Sequence, residues 1–314
     1  MSQANPTALE GQMSDNSLVR PWHISLARKL DRGADPEGRL GALAHIDNHA
    51  RSRAAAEVRS GDPISLSRPV WIRGSGEATE WSGSDLTFET EMIGDVGLHL
   101  DELTVSCHGL RNTHIDGVNH ISYQGHFYGG GPAGSDRNAN DPSIMDWALS
   151  PIVTRGIFVD VPALRGTSWV EDDQPISGDE IEAAIQLGQT QFVPGDALLL
   201  YGGRDRFEAA GNEVLPAGKA AQRPGVGRSG GEWIADNKAS VVCWDFLDAL
   251  HPDETRMSVH MLNWAIGLPL VDNCDLTRVR DYVNASARNA GLLTIAPLAT
   301  PGASGSLVNP VLIF

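Results

Sequence analysis

Residues 113–120 read Thr113-His114-Ile115-Asp116-Gly117-Val118-Asn119-His120, and four of the chain's ten histidines lie in or beside this stretch. In an extended segment, residues i and i+2 share a face, so His114 and Asp116 can point an imidazole and a carboxylate at one ion. Gly117 lets the backbone turn, which could bring His120 back to the same point. Imidazole together with carboxylate suits zinc, manganese or iron(II) rather than calcium or magnesium.

The same side chains could instead be polar loop residues with separate hydrogen bonds. A metal site needs more ligands than one segment supplies, and the C-terminal part of the chain offers His260 and Asp272. The pattern predicts a helix over 258–266 that stops at Gly267, so a helix, a turn and a strand could carry both side chains to one site. Taken alone, His260 could equally be a core histidine and Asp272 a residue that caps a helix.

Short apolar runs separated by a few helices predict a mixed α/β domain. Ser177 and Glu180 form a capping box before a helix that extends to Leu187, and Asp275 is expected to cap a helix over 276–290 that ends at Gly291. A single domain is expected over 18–314, behind a flexible polar tail over 1–17. The predicted strands are 103–108, 157–161, 197–201, 240–244 and 292–296.

The composition narrows the class of protein. With 41% apolar residues the chain can build a core, which excludes a disordered protein. The formal charge of −16 argues against nucleic acid and against an anionic membrane as partners. The sequence shows neither a secretory signal nor an apolar run long enough to span a membrane, so we expect a cytoplasmic protein with reduced cysteines.

Several segments together resemble the putative cyclase family, which includes bacterial kynurenine formamidases and isatin hydrolase. Thr113-His114-x-Asp116-x-x-x-His120 is similar to the second half of that family's HxGTHxDxPxH motif. The resemblance covers most of the chain, fits the longer branch of the family, and implies the swivelling β/β/α fold, with a mixed sheet or barrel-like core and flanking helices. Further similar segments are 35–42, 65–67, 127–130, 193–200, 239–245 and 296–310.

The resemblance also implies roles for individual residues. His114, Asp116, His260 and Asp272 correspond to the ligands of a divalent transition metal, zinc or manganese, and His120 to the general acid and base. His120 could instead be a ligand. Aromatic residues near the matching motifs are expected to line the substrate pocket, although core packing would explain them equally well: Trp244, Tyr128 and Phe127. Arg204 and Arg206 could pair with a substrate carboxylate or form a solvated face.

The chain departs from the family pattern at the site itself. The first histidine of the motif falls at Leu110, which cannot bind a metal, and the distal glutamate is the shorter Asp272. His108, two residues before Leu110, could compensate for the missing histidine, but a shift of two residues along a strand keeps the face and moves the side chain by roughly 7 Å. We therefore expect one tightly held ion rather than two. The alternative is that the chain has lost the metal site and binds an ion weakly or not at all.

The resemblance implies a metal-dependent hydrolase that opens a small cyclic amide or lactone, or cleaves a related amide, by attack of metal-bound hydroxide. A cyclase or dehydratase of secondary metabolism, which uses the metal to polarise a carbonyl for ring closure, is one alternative. A catalytically degenerate binding protein on the same fold is another. The expected partners are a small-molecule substrate and further copies of the chain in a homodimer or homotetramer.

Overall fold

The computed structural model describes residues 20–29, 35–73, 84–134, 141–216, 219–254 and 256–314, so the predicted tail over 1–17 lies outside the described residues. Their strands are β1 (Pro63–Ser65), β2 (Asp85–Ile93), β3 (Val96–Thr104), β4 (His114–Asp116), β5 (Ile152–Asp160), β6 (Ala197–Tyr201), β7 (Val241–Trp244), β8 (Leu270–Asp272), β9 (Ala290–Ile295), β10 (Gly305–Leu307) and β11 (Val311–Ile313). Their helices are α1 (Pro21–Lys29), α2 (Asn48–Ala55), α3 (Ile144–Leu149), α4 (Val161–Arg165), α5 (Gly178–Leu187), α6 (Arg204–Ala209), α7 (Arg228–Asp236), α8 (His260–Ile266) and α9 (Thr277–Ser286).

Nine of these strands form one curled mixed sheet, in the order β1-β11-β9-β5-β6-β7-β8-β4-β10. The central strands β5, β6, β7 and β8 run parallel to one another. The pairings on either side of them are antiparallel, including β8 with β4 and β4 with β10. The predicted mixed α/β architecture with flanking helices is confirmed. β2 and β3 form a separate two-stranded ribbon.

Both faces of the sheet are buried, which explains why its central strands are continuous apolar runs. In β6, Leu198 and Leu200 belong to the apolar cluster on one face, together with residues of α5, α7 and α8. Leu199 and Tyr201 belong to the cluster on the other face, together with residues of α2, α3 and α9. The sheet is therefore fixed from both sides, and its short strands β4 and β8 are held at defined positions beside this core.

Several elements lie where the sequence predicts them. β6 has the predicted bounds, and α5 begins with the capping box in which Ser177 and Glu180 bond each other's backbone N–H. α8 begins at His260, two residues later than predicted, and ends at Ile266 as predicted; Gly267 follows with a φ of 63°, the left-handed conformation that favours glycine at a helix end. β5, β7 and β9 overlap the predicted strands, with shifts at their ends.

Two predicted elements are wrong in their bounds. The strand predicted over 103–108 ends at Thr104, because β3 runs antiparallel to β2 and the pairing stops where β2 begins. The helix predicted over 276–290 is α9, which ends at Ser286 and is followed by Ala287 in the left-handed conformation. The chain then enters β9, and Gly291 lies inside this strand. Asp275 precedes the N-cap residue Leu276 and accepts a hydrogen bond from the backbone N–H of Thr277.

His23 fastens α1 to the segment before α8. Its imidazole is buried, with Nδ1 accepting from the backbone N–H of Arg20 at 3.1 Å and Nε2 donating to the carbonyl of Ser258 at 2.9 Å. Burial lowers the pKa of His23 to about 4, against the opposing effect of the Ser258 carbonyl. The neutral form is therefore the one that fits the folded protein.

This histidine should make stability depend on pH in a defined window. Because the pKa of His23 is lowered from 6.5 to about 4 on folding, its contribution is present above pH 6.5 and is lost as pH falls toward 4. We expect the difference in unfolding free energy between the wild type and His23→Phe to shrink by about 2–3 kcal/mol between pH 7.5 and 4.5 in urea titrations. His49→Phe, at an exposed histidine of α2, is the control. A difference that stays constant with pH would contradict this role.

Candidate metal centre

The pairing of β4 with β8 brings together two segments that are far apart in the sequence. The strands are antiparallel, with His114 opposite Asp272 and Asp116 opposite Leu270. Directly opposed residues in such a pair share a face, and His114 and Asp116 share that face because they are two residues apart. His114 Nε2 lies 3.5 Å from Asp116 Oδ1 and 3.9 Å from Asp272 Oδ2. The three side chains therefore converge on one buried point.

His260 reaches the same point from the first turn of α8. Gly267 ends the helix and the chain turns directly into β8, as the sequence predicts. His260 Nε2 lies 3.4 Å from Asp272 Oδ2 and 3.9 Å from Asp116 Oδ2. His120 completes the group, with its Nε2 at 3.6 Å from Asp116 Oδ2. The structure thus brings together all five side chains that the sequence suggests for metal binding and acid–base chemistry, while their individual roles stay predictions.

Partners outside the cluster orient these side chains. Nδ1 of His114 lies 2.9 Å from the carbonyl oxygen of Asn112, and Nδ1 of His260 bonds to a carboxylate oxygen of Asp248. With a proton on each Nδ1, both Nε2 lone pairs point at the carboxylates of the cluster. The indole of Trp244 donates to Asp272 Oδ1 at 2.6 Å. This pattern, in which an outer partner fixes each inner side chain, is typical of metal ligands.

One oxygen of the Asp116 carboxylate shows whether the cluster is suited to hold a metal ion. Its Oδ2 is buried and, among the residues that the structure describes, has no hydrogen-bond partner. The nearest imidazole nitrogens, at 3.6 and 3.9 Å, are beyond hydrogen-bond distance. An unpaired buried carboxylate oxygen is costly, and a cation placed among these atoms would satisfy it. The donor set of imidazole and carboxylate therefore fits a divalent transition metal.

The buried carboxylates of the cluster give it a negative electrostatic environment that favours positive charge. Burial alone would raise the pKa of Asp116, but the imidazoles of His120 and His108 hold it well below its usual range. Burial would likewise lower the pKa of His260, yet the carboxylates of Asp248 and Asp272 raise it well above its usual value. Three carboxylates are buried side by side here, an arrangement that a bound cation would stabilise.

The position of His108 corrects the sequence analysis. Its Nδ1 lies 3.0 Å from Asp116 Oδ1, and its ring stacks on His120 with centroids 4.4 Å apart. The expected separation of about 7 Å assumed a strand through this region, whereas the strand ends at Thr104 and Gly109, with φ of 128°, redirects the chain. Two groups of ligand atoms consequently share Asp116: one with His114 and Asp272, and one with His108 and His120.

Asp248 is a site residue that the sequence analysis missed. It is buried, accepts a hydrogen bond from the backbone N–H of Val259 at 2.6 Å and another from that of His260 at 3.4 Å, and holds the His260 imidazole. It therefore fixes both the start of α8 and the ligand that this helix carries. No periodicity or motif links Asp248 to His260 in the sequence, so no local signal could have revealed the pair.

The residues predicted to bind substrate occupy different surroundings. Trp244 is buried beside the site, in contact with Asp272 and with the ring of His260. Tyr128 is buried, and its hydroxyl donates to Asp35 at 3.0 Å. Phe127 is half-buried. These contacts give Trp244 and Tyr128 structural roles, and substrate binding by the three stays a prediction.

The two arginines after β6 differ from each other. Arg206 is exposed, as a solvated face would require, but Arg204 is buried. Its guanidinium donates to the carbonyl of Leu110 at 2.6 Å and to Asn273 Oδ1 at 2.7 Å. Arg204 thus ties together the segments that precede β4 and follow β8. It is a structural residue that supports the site.

Comparison with known proteins identifies the family to which the chain belongs. The sequence model described as Putative cyclase matches residues 42–249, and the chain therefore belongs to the putative cyclase family. None of the curated proteins matches the chain. None of the described helices is long and apolar enough to cross a membrane.

Solved structures share the fold at low sequence identity. One, described as a novel cyclase, is 21% identical with a TM-score of 0.77, over 92% of this chain and 99% of that chain. Isatin hydrolase A from Ralstonia solanacearum is 15% identical with a TM-score of 0.53, over 85% and 96%. Isatin hydrolase A from Labrenzia aggregata is 14% identical with a TM-score of 0.52, over 82% and 94%. At these identities the likeness shows the fold.

Removal of one inner imidazole tests the metal assignment. We expect His114→Ala to weaken Zn²⁺ or Mn²⁺ binding by more than the roughly 10–100-fold that loss of an outer partner typically costs. Binding would be measured by calorimetry and by metal content after metal-replete expression. His126→Ala is the matched control, because it removes an exposed histidine twelve residues further along the chain. Full metal occupancy in His114→Ala would remove this residue from the ligand set.

A longer side chain at Asp272 tests how closely the site is fitted. The hydrogen bond from Trp244 and the pairing of β8 with β4 fix the position of the Asp272 carboxylate. An added methylene should therefore displace the carboxylate from its present position beside the imidazole nitrogens. We expect Asp272→Glu to weaken Zn²⁺ affinity by at least about 10-fold, since such sites require placement within about 0.5 Å. Asp275→Glu, just beyond β8, is the control. Unchanged affinity in both Asp272→Glu and Asp272→Asn would exclude Asp272.

Proposed function

We propose that this protein is a metal-dependent hydrolase that opens a small cyclic amide or lactone. The observation that carries the proposal is the buried, unpaired Oδ2 of Asp116, which faces imidazole nitrogens of His120 and His260. His114, Asp116, His260 and Asp272 would hold a divalent ion, zinc or manganese. Such an ion, when bound, acts as a Lewis acid toward a carbonyl oxygen and lowers the pKa of water toward neutrality.

We assign the proton transfer to His120. Its side chain is 24% exposed, whereas those of His114, Asp116 and Asp272 are at most 4% exposed, so His120 stands on the side of the cluster that solvent reaches. Its Nε2 faces Asp116 Oδ2 at 3.6 Å. From there it would accept a proton from the attacking water and return it to the leaving nitrogen or oxygen.

His108 supports His120 from the exposed side. The two rings stack, and the Nε2 of His108 lies 3.2 Å from the hydroxyl of Ser304. The bond from Nδ1 to Asp116 raises the pKa of His108 to about 10, although burial opposes this rise. Because the His108 ring is held by Asp116 and Ser304 and stacks on His120, it would limit rotation of the His120 ring. A second candidate role for His108, as a ligand together with Asp116 and His120, follows from their close grouping.

The comparisons support the choice of reaction. Two of the matching structures are isatin hydrolases from different bacteria, and a third is an isatin hydrolase bound to the product analogue thioisatinate. Another is a predicted metal-dependent hydrolase from Bacillus stearothermophilus. Isatin contains a cyclic amide, so the substrate class proposed here is a ring of comparable size closed by an amide or an ester.

The experiment measures the metal content of the purified protein and its rate of substrate hydrolysis together. We expect the metal-loaded protein to hydrolyse a member of a panel of isatin-like rings, N-formyl anilines and lactones. His120→Ala should keep its metal and lose about 10²–10⁴-fold in kcat, the usual contribution of a general acid–base group. His126→Ala serves again as the control and should retain full activity. If His120→Ala loses the metal as well, His120 is a ligand and the proton transfer belongs to another group.

The outcome also separates the alternative functions. Purified protein that carries well below one transition metal per chain after metal-replete expression would overturn both enzyme proposals and leave a binding protein. Bound metal without hydrolysis of any ring, combined with ring closure or dehydration of an open-chain substrate, would favour a cyclase or dehydratase. We also expect the protein to assemble as a homodimer or homotetramer and to act in the cytoplasm.

A further inference from the structure

A cavity of about 540 Å³ lies on the side of the sheet where the parallel strands begin. Its walls are the loop between α5 and β6, the loop between α9 and β9, and the C-terminal end of α2. The candidate metal centre lies where the parallel strands end, since Trp244 and Asp272 are the last residues of β7 and β8. The cavity is therefore separate from the metal centre, and its volume is in the range of sites for small organic ligands.

Positive charge predominates on the walls of this cavity, in contrast to the rest of the chain. The charged lining residues are three arginines and one glutamate: Arg53, Arg155, Arg288 and Glu57. The whole sequence, by comparison, has 24 basic and 40 acidic residues. The lining also holds uncharged amide and hydroxyl groups, those of Gln189, Thr190, Gln191 and Asn289. A lining of this kind favours a polar ligand with negative charge.

Arg155 is the most buried of the three arginines and has a full set of partners. Its Nη2 donates to Asp196 Oδ2 at 2.6 Å and to the carbonyl of Gln191 at 2.8 Å, and its Nη1 donates to Glu57 Oε1 at 3.3 Å. The buried Asp196 carboxylate also accepts two hydrogen bonds from Arg53. The three guanidinium groups thus share two carboxylates, which leaves an excess of one positive charge at the cavity.

Arg53 and Arg288 keep N–H groups that protein atoms do not use. Arg53 bonds to Asp196 and to the carbonyl of Pro194 through Nε and Nη2. Arg288 donates from Nη2 to the carbonyl of Glu57 at 2.7 Å, while the Glu57 carboxylate lies 3.6 Å away, beyond hydrogen-bond distance. No acceptor among the described residues bonds to Nη1 of Arg53, or to Nε and Nη1 of Arg288. Both side chains are about 30% exposed, so a ligand can reach them.

The walls of the cavity are held in place before any ligand binds. Thr190 Oγ1 donates to Asn289 Oδ1 at 2.5 Å and so joins the two loops. A Cβ at Gly188 would lie 2.1 Å from Asn289 Nδ2, and glycine permits this close approach. Gln189 and Ala287 line the cavity with φ of 53° and 56°, a conformation that residues other than glycine seldom adopt. Walls fixed in this way lower the cost of ordering a binding site.

We propose that this cavity binds a small organic anion, whose carboxylate or phosphate group pairs with Arg53 and Arg288. The planar guanidinium group matches two oxygens of such a group and forms charge-assisted hydrogen bonds with them. The anion would neutralise the excess positive charge, and the amides of Gln189 and Gln191 would bond to the polar remainder of the molecule. An extended polyanion such as nucleic acid would instead meet the negative charge of the rest of the chain.

The bound anion would connect elements that are distant in the sequence. Arg53 belongs to α2, and Arg288 lies between α9 and β9. A ligand that contacts both, and that binds the folded chain alone, stabilises the folded protein in proportion to the logarithm of its concentration. Binding can therefore be followed by calorimetry and by the midpoint of thermal unfolding, and neither measurement depends on hydrolysis at the metal centre.

The test titrates citrate, glycerol 3-phosphate and uncharged glycerol into the full-length protein at constant ionic strength. The variants are Arg53→Gln and Arg288→Gln, each of which removes one guanidinium group. Arg51→Gln is the matched control, because it removes an exposed arginine of α2 that does not line the cavity. His114→Ala is a second control, since an anion could also bind to a metal ion at the candidate centre. Circular dichroism and the unfolding midpoint without ligand check that each variant is folded.

We expect at least one of the two anions to bind the wild type with a Kd of about 1 mM or lower, and glycerol not to bind. Tighter binding of glycerol 3-phosphate would identify a phosphate ligand, and tighter binding of citrate a carboxylate. Arg53→Gln and Arg288→Gln should each raise the Kd about 10- to 100-fold, as loss of a hydrogen bond to a charged group does. Arg51→Gln and His114→Ala should change it by less than about threefold.

Three results would overturn the proposal. The first is failure of both anions to bind the wild type at about 10 mM. The second is an equal loss of affinity in Arg51→Gln and Arg288→Gln, which would indicate general attraction between charges. The third is binding that disappears in His114→Ala and persists in Arg288→Gln, which would place the anion at the metal centre.

Discussion

The candidate site depends on three buried carboxylates near one end of the sheet, those of Asp116, Asp248 and Asp272. Each must be compensated, because a buried charge without a partner costs several kcal/mol. Asp248 is compensated by the first backbone N–H groups of α8 and by His260, and Asp272 by the indole of Trp244. Asp116 keeps one oxygen that protein atoms do not satisfy. These contacts connect β7 with β8 and the segment after β7 with α8.

The local part of the site could be predicted from the sequence because its geometry depends on spacing alone. His114 and Asp116 share a face since they are two residues apart in a strand, and Gly267 separates α8 from β8 as a left-handed helix end must. The long-range part could not be derived in this way. His114 lies opposite Asp272 because of the strand register. The resemblance to the family implied that both residues are ligands, but the residue spacing alone did not bring them together.

The errors of prediction have physical causes. The alternation that suggests a strand over 103–108 is real as far as Thr104, but side chains continue to share a face only while the strand continues. His108 was therefore placed too far from the site. The Gly94-Asp95 turn between two alternating runs was the signal that could have revealed the hairpin. Arg204 and Asp248 gave no comparable signal, because a buried charge that bonds to distant backbone groups leaves no periodic pattern.

The place of β4 in the sheet has a consequence for how the protein is made. This short strand lies between β8 and β10, both of which come near the end of the described chain. While the protein is being synthesised, β4 and its histidine-rich segment leave the ribosome long before either neighbour exists. About 150 residues are therefore synthesised between the candidate ligands of β4 and β8, the first strand with which β4 pairs. The completed pocket, with its outer hydrogen bonds, can form only after β8 and β10 have docked, so binding of the proposed metal would belong to a late stage of folding.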